Sequence, residues 1–198
     1  MCKITFLPWI GNKYEQGINN KKVLVLGESH YCASPSDVYP QMTTDIITGL
    51  WDEESEHEGY KNTYTKFERA LSGKPLNGRE KEAVWNSIAF YNYVQSPMSG
   101  ARVKPTADEF RSSEEAFFET INRLQPDRII AWGDRLYKNL PKTGSQLSDL
   151  QLPDGDAFET WSYTLANGKI VPILPITHPS AAFVPRYWYP VMQAFINR

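Results

Sequence analysis

Four short apolar runs, separated by stretches of helical periodicity, constrain this chain most. Val23-Leu24-Val25-Leu26 ends at Gly27. A short apolar run closed by a turn residue reads as a strand buried on both faces of a parallel sheet. Ile88-Ala89-Phe90-Tyr91-Asn92-Tyr93-Val94 is a second such run, and Arg128-Ile129-Ile130-Ala131-Trp132 a third, opened by Pro126-Asp127 and closed by Gly133. Ile170 to Ile176 is the fourth. Its Pro172 and Pro175 point to an edge position, because proline cannot donate to a ladder. Asn167-Gly168 signals a hairpin joining 160–165 to this run.

The intervening segments carry the 3.6-residue period. Tyr64 to Leu71 places Phe67, Ala70 and Leu71 on one face, and Gly73 stops it. Glu80 to Trp85 is shorter. Thr106 to Leu124 has a capping Thr106, Glu109 three residues on, and Phe110, Phe117, Phe118 and Ile121 at helical spacing. Asp134 to Leu140 and Tyr189 to Ile196 complete the set. Strands alternating with helices predict an α/β fold: a three-layer α/β/α sandwich on a four-stranded parallel sheet in order 2-1-3-4, forming one domain over residues 1–198.

Composition narrows the classes of function. With 198 residues the chain can bury a substantial core. No apolar run reaches the length of a membrane span, and Pro8, Asn12 and Lys13 interrupt any leader-like stretch, so a cytoplasmic location is expected. Cys2 and Cys32 are too few for an unaided four-ligand zinc or cluster site, and His30, His57 and His178 are scattered, so no metal and no cofactor is expected. The net charge of -2 argues against a protein that coats nucleic acid. The run from Asp52 to Glu58 reads as a solvated acidic face. No obligate protein partner is evident, and a monomer is expected.

Open α/β sheets bind ligands beyond the carboxyl ends of their strands. That rule selects Gly27–Tyr31, Asn92–Pro97 and Thr177–Phe183.

These three segments resemble uracil-DNA glycosylases. The first motif of that superfamily reads GQDPY in one branch and GEAPG or GEGPG in another; here it is Gly27-Glu28-Ser29-His30-Tyr31. The last motif, HPS or HPA, is matched by His178-Pro179-Ser180. The iron–sulfur branch carries a segment like PDVIVALG between them, and Pro126 to Gly133 is similar to it. That branch is the closest in motif, but its four cluster cysteines are missing. The segment from Tyr31 to Trp85 has no clear counterpart.

The resemblance implies a role for each matching residue. His178 would donate to the leaving base as negative charge develops on it. Asn92 would read the uracil amide edge, donating to O4 and accepting from N3–H; Asn86 is a second candidate. Glu28 would position the attacking water and stabilise the cationic sugar. Ser29 stands where one branch has the aspartate base, and it cannot be a carboxylate. Tyr31 would exclude a 5-methyl group, with Gly27 and Ser29 beside it in the substrate site. His30 replaces the motif's proline, and the resemblance assigns it no role. Tyr39 and Trp51 are candidates for stacking on the base. Pro179, Ser180, Phe183 and Arg186 would meet DNA, with Phe183 as an apolar wedge and Ser180 on phosphate.

The function expected is therefore hydrolytic removal of uracil or another deaminated base from DNA, with DNA or a free nucleobase as partner. Two alternatives stay open. One is a weakly catalytic nucleobase or nucleic-acid binding module on the same fold. The other is a serine esterase with Ser29 as nucleophile, since Gly-Glu-Ser resembles the Gly-Asp-Ser start of one esterase superfamily. That superfamily has an aspartate three residues before its late histidine, where this chain has Pro175.

Overall fold

The computed structural model describes residues 4–52, 58–100 and 103–198. Cys2, His57 and the centre of the acidic run, Glu53 to Glu56, lie outside the described residues. The chain opens with β1 (Trp9–Ile10), β2 (Val23–Gly27), α1 (Met42–Thr48), α2 (Lys61–Ser72), α3 (Gly78–Asn86) and β3 (Ile88–Asn92). It continues through α4 (Ala107–Ser112), α5 (Glu114–Leu124), β4 (Arg128–Trp132) and α6 (Asp134–Asn139). Then follow β5 (Ser145–Gln146), β6 (Leu150–Gln151), β7 (Ala157–Phe158), β8 (Trp161–Thr164), β9 (Ile170–Ile176) and α7 (Pro185–Asn197).

The expectation of a four-stranded parallel sheet is corrected. The sheet has seven strands in the order β1-β3-β2-β4-β9-β8-β5, and it is mixed. Its β3–β2, β2–β4 and β4–β9 pairings are parallel. Its β1–β3, β9–β8 and β8–β5 pairings are antiparallel. The added strands are two to four residues long. The two-residue β1 and β5 carry no readable apolar period, and pairing with an existing edge is what makes them strands; β8 is the strand that the Asn167-Gly168 hairpin signal anticipates. A separate two-stranded ladder joins β6 and β7.

The fourth run was expected at an edge, yet β9 lies between β4 and β8. The two ladders explain this. β8 pairs with Ile170 to Ile173, and β4 pairs with Ile173 to Ile176. Pro172 is therefore laddered only on the β8 side and Pro175 only on the β4 side. Each proline sits where β9 is locally an edge, which is where its missing N–H costs least.

Alternate strand residues feed two apolar clusters. Val23, Val25, Ile88, Phe90, Ile130, Trp132, Leu174 and Ile176 pack with Phe67, Ala70 and Leu71 of α2 and with Val191, Met192, Phe195 and Ile196 of α7. Leu24, Leu26, Ala89, Tyr91, Ile129, Ala131, Val171 and Ile173 pack with Phe117, Ile121 and Leu124 of α5 and with Leu136 of α6. The period-2 alternation of strands and the stripes of the helices dictate this partition.

The 106–124 segment is two helices rather than one. Thr106 and Glu109 form the expected capping box. The break falls at Ser113, whose hydroxyl donates to Glu109 O at 2.7 Å while accepting from Gln95 N at 3.0 Å. A serine hydroxyl bonded to the carbonyl four residues back competes with the helix ladder. At the other end of the chain, α7 begins at Pro185, four residues earlier than the periodicity implies, because proline at the first helical position supplies a fixed φ and needs no donor.

Parallel pairing continues past the strands. Tyr93 N donates to Gly27 O at 3.0 Å, Val94 N to Glu28 O at 2.8 Å, Met98 N to His30 O at 2.8 Å and Cys32 N to Met98 O at 2.9 Å. These bonds hold the loops after β2 and β3 side by side at the carboxyl end of the sheet.

Candidate functional site at the carboxyl ends of the strands

Glu28 follows directly on β2. The Arg135 guanidinium grips its carboxylate with both arms: Nε donates to Oε2 at 2.8 Å and Nη2 donates to Oε1. The Glu28 side chain is 10% exposed and that of Arg135 45%. This paired fork geometry orients the carboxylate. The bond to Glu28 raises the Arg135 pKa further above its ordinary value. Arg135 stands in the first turn of α6, at the carboxyl end of β4. The carboxyl-end rule applied to Gly133–Arg135 points to it, although none of the three segments selected from the sequence includes it.

His178 lies just beyond β9, half-buried, with its ring edge-on to Trp132 at 6.0 Å between centroids. Its Nδ1 accepts from Ser180 N at 3.1 Å and lies 2.8 Å from Ser180 Oγ. A neutral imidazole that accepts at Nδ1 carries its proton on Nε2. Burial lowers the His178 pKa; the Glu28 carboxylate pulls it upward and Arg135 pushes it down. His178 thus lies within the fields of both members of the ion pair. Gly133, at φ +94°, gives the ring room, since a Cβ there would lie 3.1 Å from His178 Cβ.

Aromatic rings complete this part of the site. Tyr31 is 47% exposed, and its hydroxyl pKa is raised by burial and by Glu28. Tyr64, from the first turn of α2, meets the Trp132 ring at 5.5 Å and feels Tyr31 electrostatically. Lys66 Nζ donates to Ala181 O at 3.3 Å, tying α2 to the loop that follows His178. The Trp132 indole N–H is buried and finds no acceptor among the described residues. Tyr39 and Trp51, the rings expected to stack on a base, are engaged elsewhere. Tyr39 Oη donates to Asp45 at 2.9 Å, and Trp51 packs edge-on against Trp9. Tyr64 is the ring that sequence reasoning missed. Its helical position looks like ordinary core, and only the docking of α2 brings it beside Trp132.

Asn92 ends β3 opposite Gly27 and is 4% exposed. It lies two residues after Phe90, so it faces the same side of the sheet as Phe90 and Trp132. Its Nδ2 stands 3.0 Å from His30 Nε2, and Thr43 Oγ1 stands 2.9 Å from the same nitrogen. His30 is 3% exposed and packs against Phe6 at 4.6 Å between ring centroids. Burial pushes its pKa down to about 4. Asn86, the rival asparagine, lies at the opposite end of β3, where Oδ1 accepts from Asn12 N at 3.3 Å.

The loop after His178 divides its residues. Ser180 is exposed and Pro179 buried. Phe183 is not a protruding wedge: it is 5% exposed and stacks on Trp188 with an interplanar angle of 3°. Arg186 is exposed and lines a hollow of about 380 Å³ with Thr177, Val184 and Tyr187. Ser29 is half-buried, and its hydroxyl bonds to no imidazole among the described residues. The described residues hold no group of three or more His, Cys, Asp or Glu that could bind a metal ion. None of their helices is long and apolar enough to cross a membrane.

No protein-family model matches the chain, and no curated protein does.

Proposed function

We propose that this site binds a nucleobase of DNA and hydrolyses its N-glycosidic bond, with uracil or another deaminated base as leaving group. The observation that carries this reading is the Ser180–His178 pair beside Glu28. It leaves a neutral imidazole with an Nε2 proton to donate, near a carboxylate held in place by Arg135. Cleavage breaks the bond between the base nitrogen and the sugar carbon, and the electron pair leaves with the base. The His178 Nε2–H stabilises that anion as a preorganised donor. Glu28 stabilises the cationic sugar and orients a water, whose oxygen bonds to the sugar carbon. The proton lost by that water balances the one the base takes up. Tyr31 and Tyr64 supply aromatic surface for the flipped base, as extruded nucleotides require.

The test is base release from labelled oligonucleotides containing uracil, hypoxanthine or xanthine, scored by alkaline cleavage of the abasic product. Release by the wild type, lost in His178→Ala and Glu28→Gln but kept in Ser29→Ala, supports the reading. Absence of release on all three substrates overturns it.

One observation favours a binding module as the second reading: both carboxylate oxygens of Glu28 are held by Arg135. A carboxylate so engaged is a weaker acceptor for a water proton. Binding of free uracil without base release from DNA distinguishes this reading. The esterase reading needs an imidazole on Ser29, and the two described imidazoles lie on Asn92 and Thr43 or on Ser180.

A further inference from the structure

We infer that His30 is a positioning residue that decides which way the Asn92 amide faces, and through it which base edges the site accepts; this rests on the nucleobase site proposed above. The amide nitrogen of Asn92 has only hydrogens to offer. With Nδ2 at 3.0 Å, His30 Nε2 must be the acceptor, and the ring proton belongs on Nδ1. The ring is held in place by Phe6 on one side and by Thr43 Oγ1 at 2.9 Å. It is buried and neutral, so its lone pair is available to the amide.

The alternative arrangement is equally complete in chemical terms. A ring protonated at Nε2 would donate to the amide oxygen, and the amide would be turned by half a rotation. The two arrangements present opposite patterns to a ligand. In the one observed, Oδ1 lies toward Gly27, close to where a Cβ of that residue would stand, and Nδ2 keeps one hydrogen beyond the one given to His30. An amide so fixed accepts from a ring N–H and donates to the neighbouring carbonyl. Uracil, hypoxanthine and xanthine all have that edge, whereas cytosine and adenine have a bare ring nitrogen beside an exocyclic amine. The turned amide suits cytosine or adenine instead. Unlike a free asparagine, which flips at little cost, Asn92 is locked by His30 to the edge that deamination creates. The Thr43–His30–Asn92 chain therefore selects a class of substrate, the deaminated bases.

The test combines a tautomer measurement with a selectivity ratio. In ¹⁵N-histidine-labelled protein, His30 is expected to show an unprotonated Nε2 and a protonated Nδ1. A ring protonated at Nε2 overturns the inference. Wild type, His30→Ala and His30→Gln are then titrated with free uracil and with free cytosine. The expected result is a preference for uracil that narrows by at least about tenfold in the variants, the scale of one net hydrogen bond lost. An unchanged ratio in a folded variant overturns it, and His30→Gln keeps the test open if the alanine variant does not fold. Wild type that binds neither base overturns the nucleobase site itself and the selectivity with it. The tautomer spectrum still reports separately on the His30–Asn92 bond.

Discussion

Gly27 and Asn92 are register partners at the carboxyl ends of β2 and β3, and a Cβ on Gly27 would lie 2.2 Å from Asn92 Oδ1. The same atom would lie 2.8 Å from Phe90 Cζ. The glycine is needed here for space. Gly27→Ala is expected to displace the Asn92 amide from His30 and to destabilise the fold by about 1–3 kcal/mol, the usual cost of overpacking a dense interior. Thermal denaturation together with the Asn92 side-chain amide resonances checks this. An unshifted amide in a fully stable variant contradicts it.

Arg135→Met should reduce base release by about tenfold or more, because Glu28 loses the fork that orients it. Stability should fall by about 1–3 kcal/mol, since the Glu28 side chain is only 10% exposed and is left without its partner. Arg135→Lys should recover only part of the rate. A wild-type rate in Arg135→Met would show that the pair does not serve the reaction.

His178→Ala is expected to cost ~10²–10³ in the rate of base release, the typical loss for one preorganised donor. Ser180→Ala should cost less, because its backbone N–H still bonds Nδ1 while the hydroxyl is gone. Single-turnover rates on a uracil-containing oligonucleotide give the order. Ser180→Ala falling below His178→Ala would mean that the serine acts on DNA directly.

Acid should weaken the fold through His30. Its pKa is about 4 in the folded protein against an ordinary 6.5, because burial opposes the charge. Between those values the unfolded chain binds the extra proton, so stability falls as pH drops from about 6.5 to about 4 and is insensitive to this group outside that window. The loss is on the order of 3 kcal/mol. Urea titrations across that range should show a shallower pH dependence in His30→Gln than in the wild type. Parallel curves would assign the acid sensitivity to other groups.

DNA binding should be weak and should respond modestly to salt. With a net charge of -2, few phosphates can be neutralised at once. The slope of log affinity against log salt is expected on the order of −2 to −4. A slope near −10 would require a basic surface that Arg135, Lys66 and Arg186 do not supply.

Much of the sheet's interior was legible in the sequence. Dense β-branched runs such as Val23 to Leu26 and Ile129 to Ala131 have no stable place except between covered faces. The edge strands were not legible, because two residues such as Trp9–Ile10 or Ser145–Gln146 become strands only when a partner edge is present. The same limit applies to β9, whose prolines argued for an edge until the offset of its two ladders was known.

At the candidate site, Gly27, Glu28, Asn92 and His178 were found from their positions after strands, since strand ends converge on one rim of an α/β sheet. What each side chain touches depended on segments distant in sequence. Arg135 reaches Glu28 from 107 residues away, and Asn92 meets His30 across 62. His30 carried no role in sequence terms, and Phe183 looked like a wedge. In the structure both are buried, because packing against Phe6 and Trp188 follows from how the helices and the amino-terminal segment dock. Local pattern determined which residues lie at the rim. Which of them are paired, neutral or buried was decided by contacts that form only when the whole chain has folded, since desolvation and charge pairing depend on neighbours brought in from elsewhere.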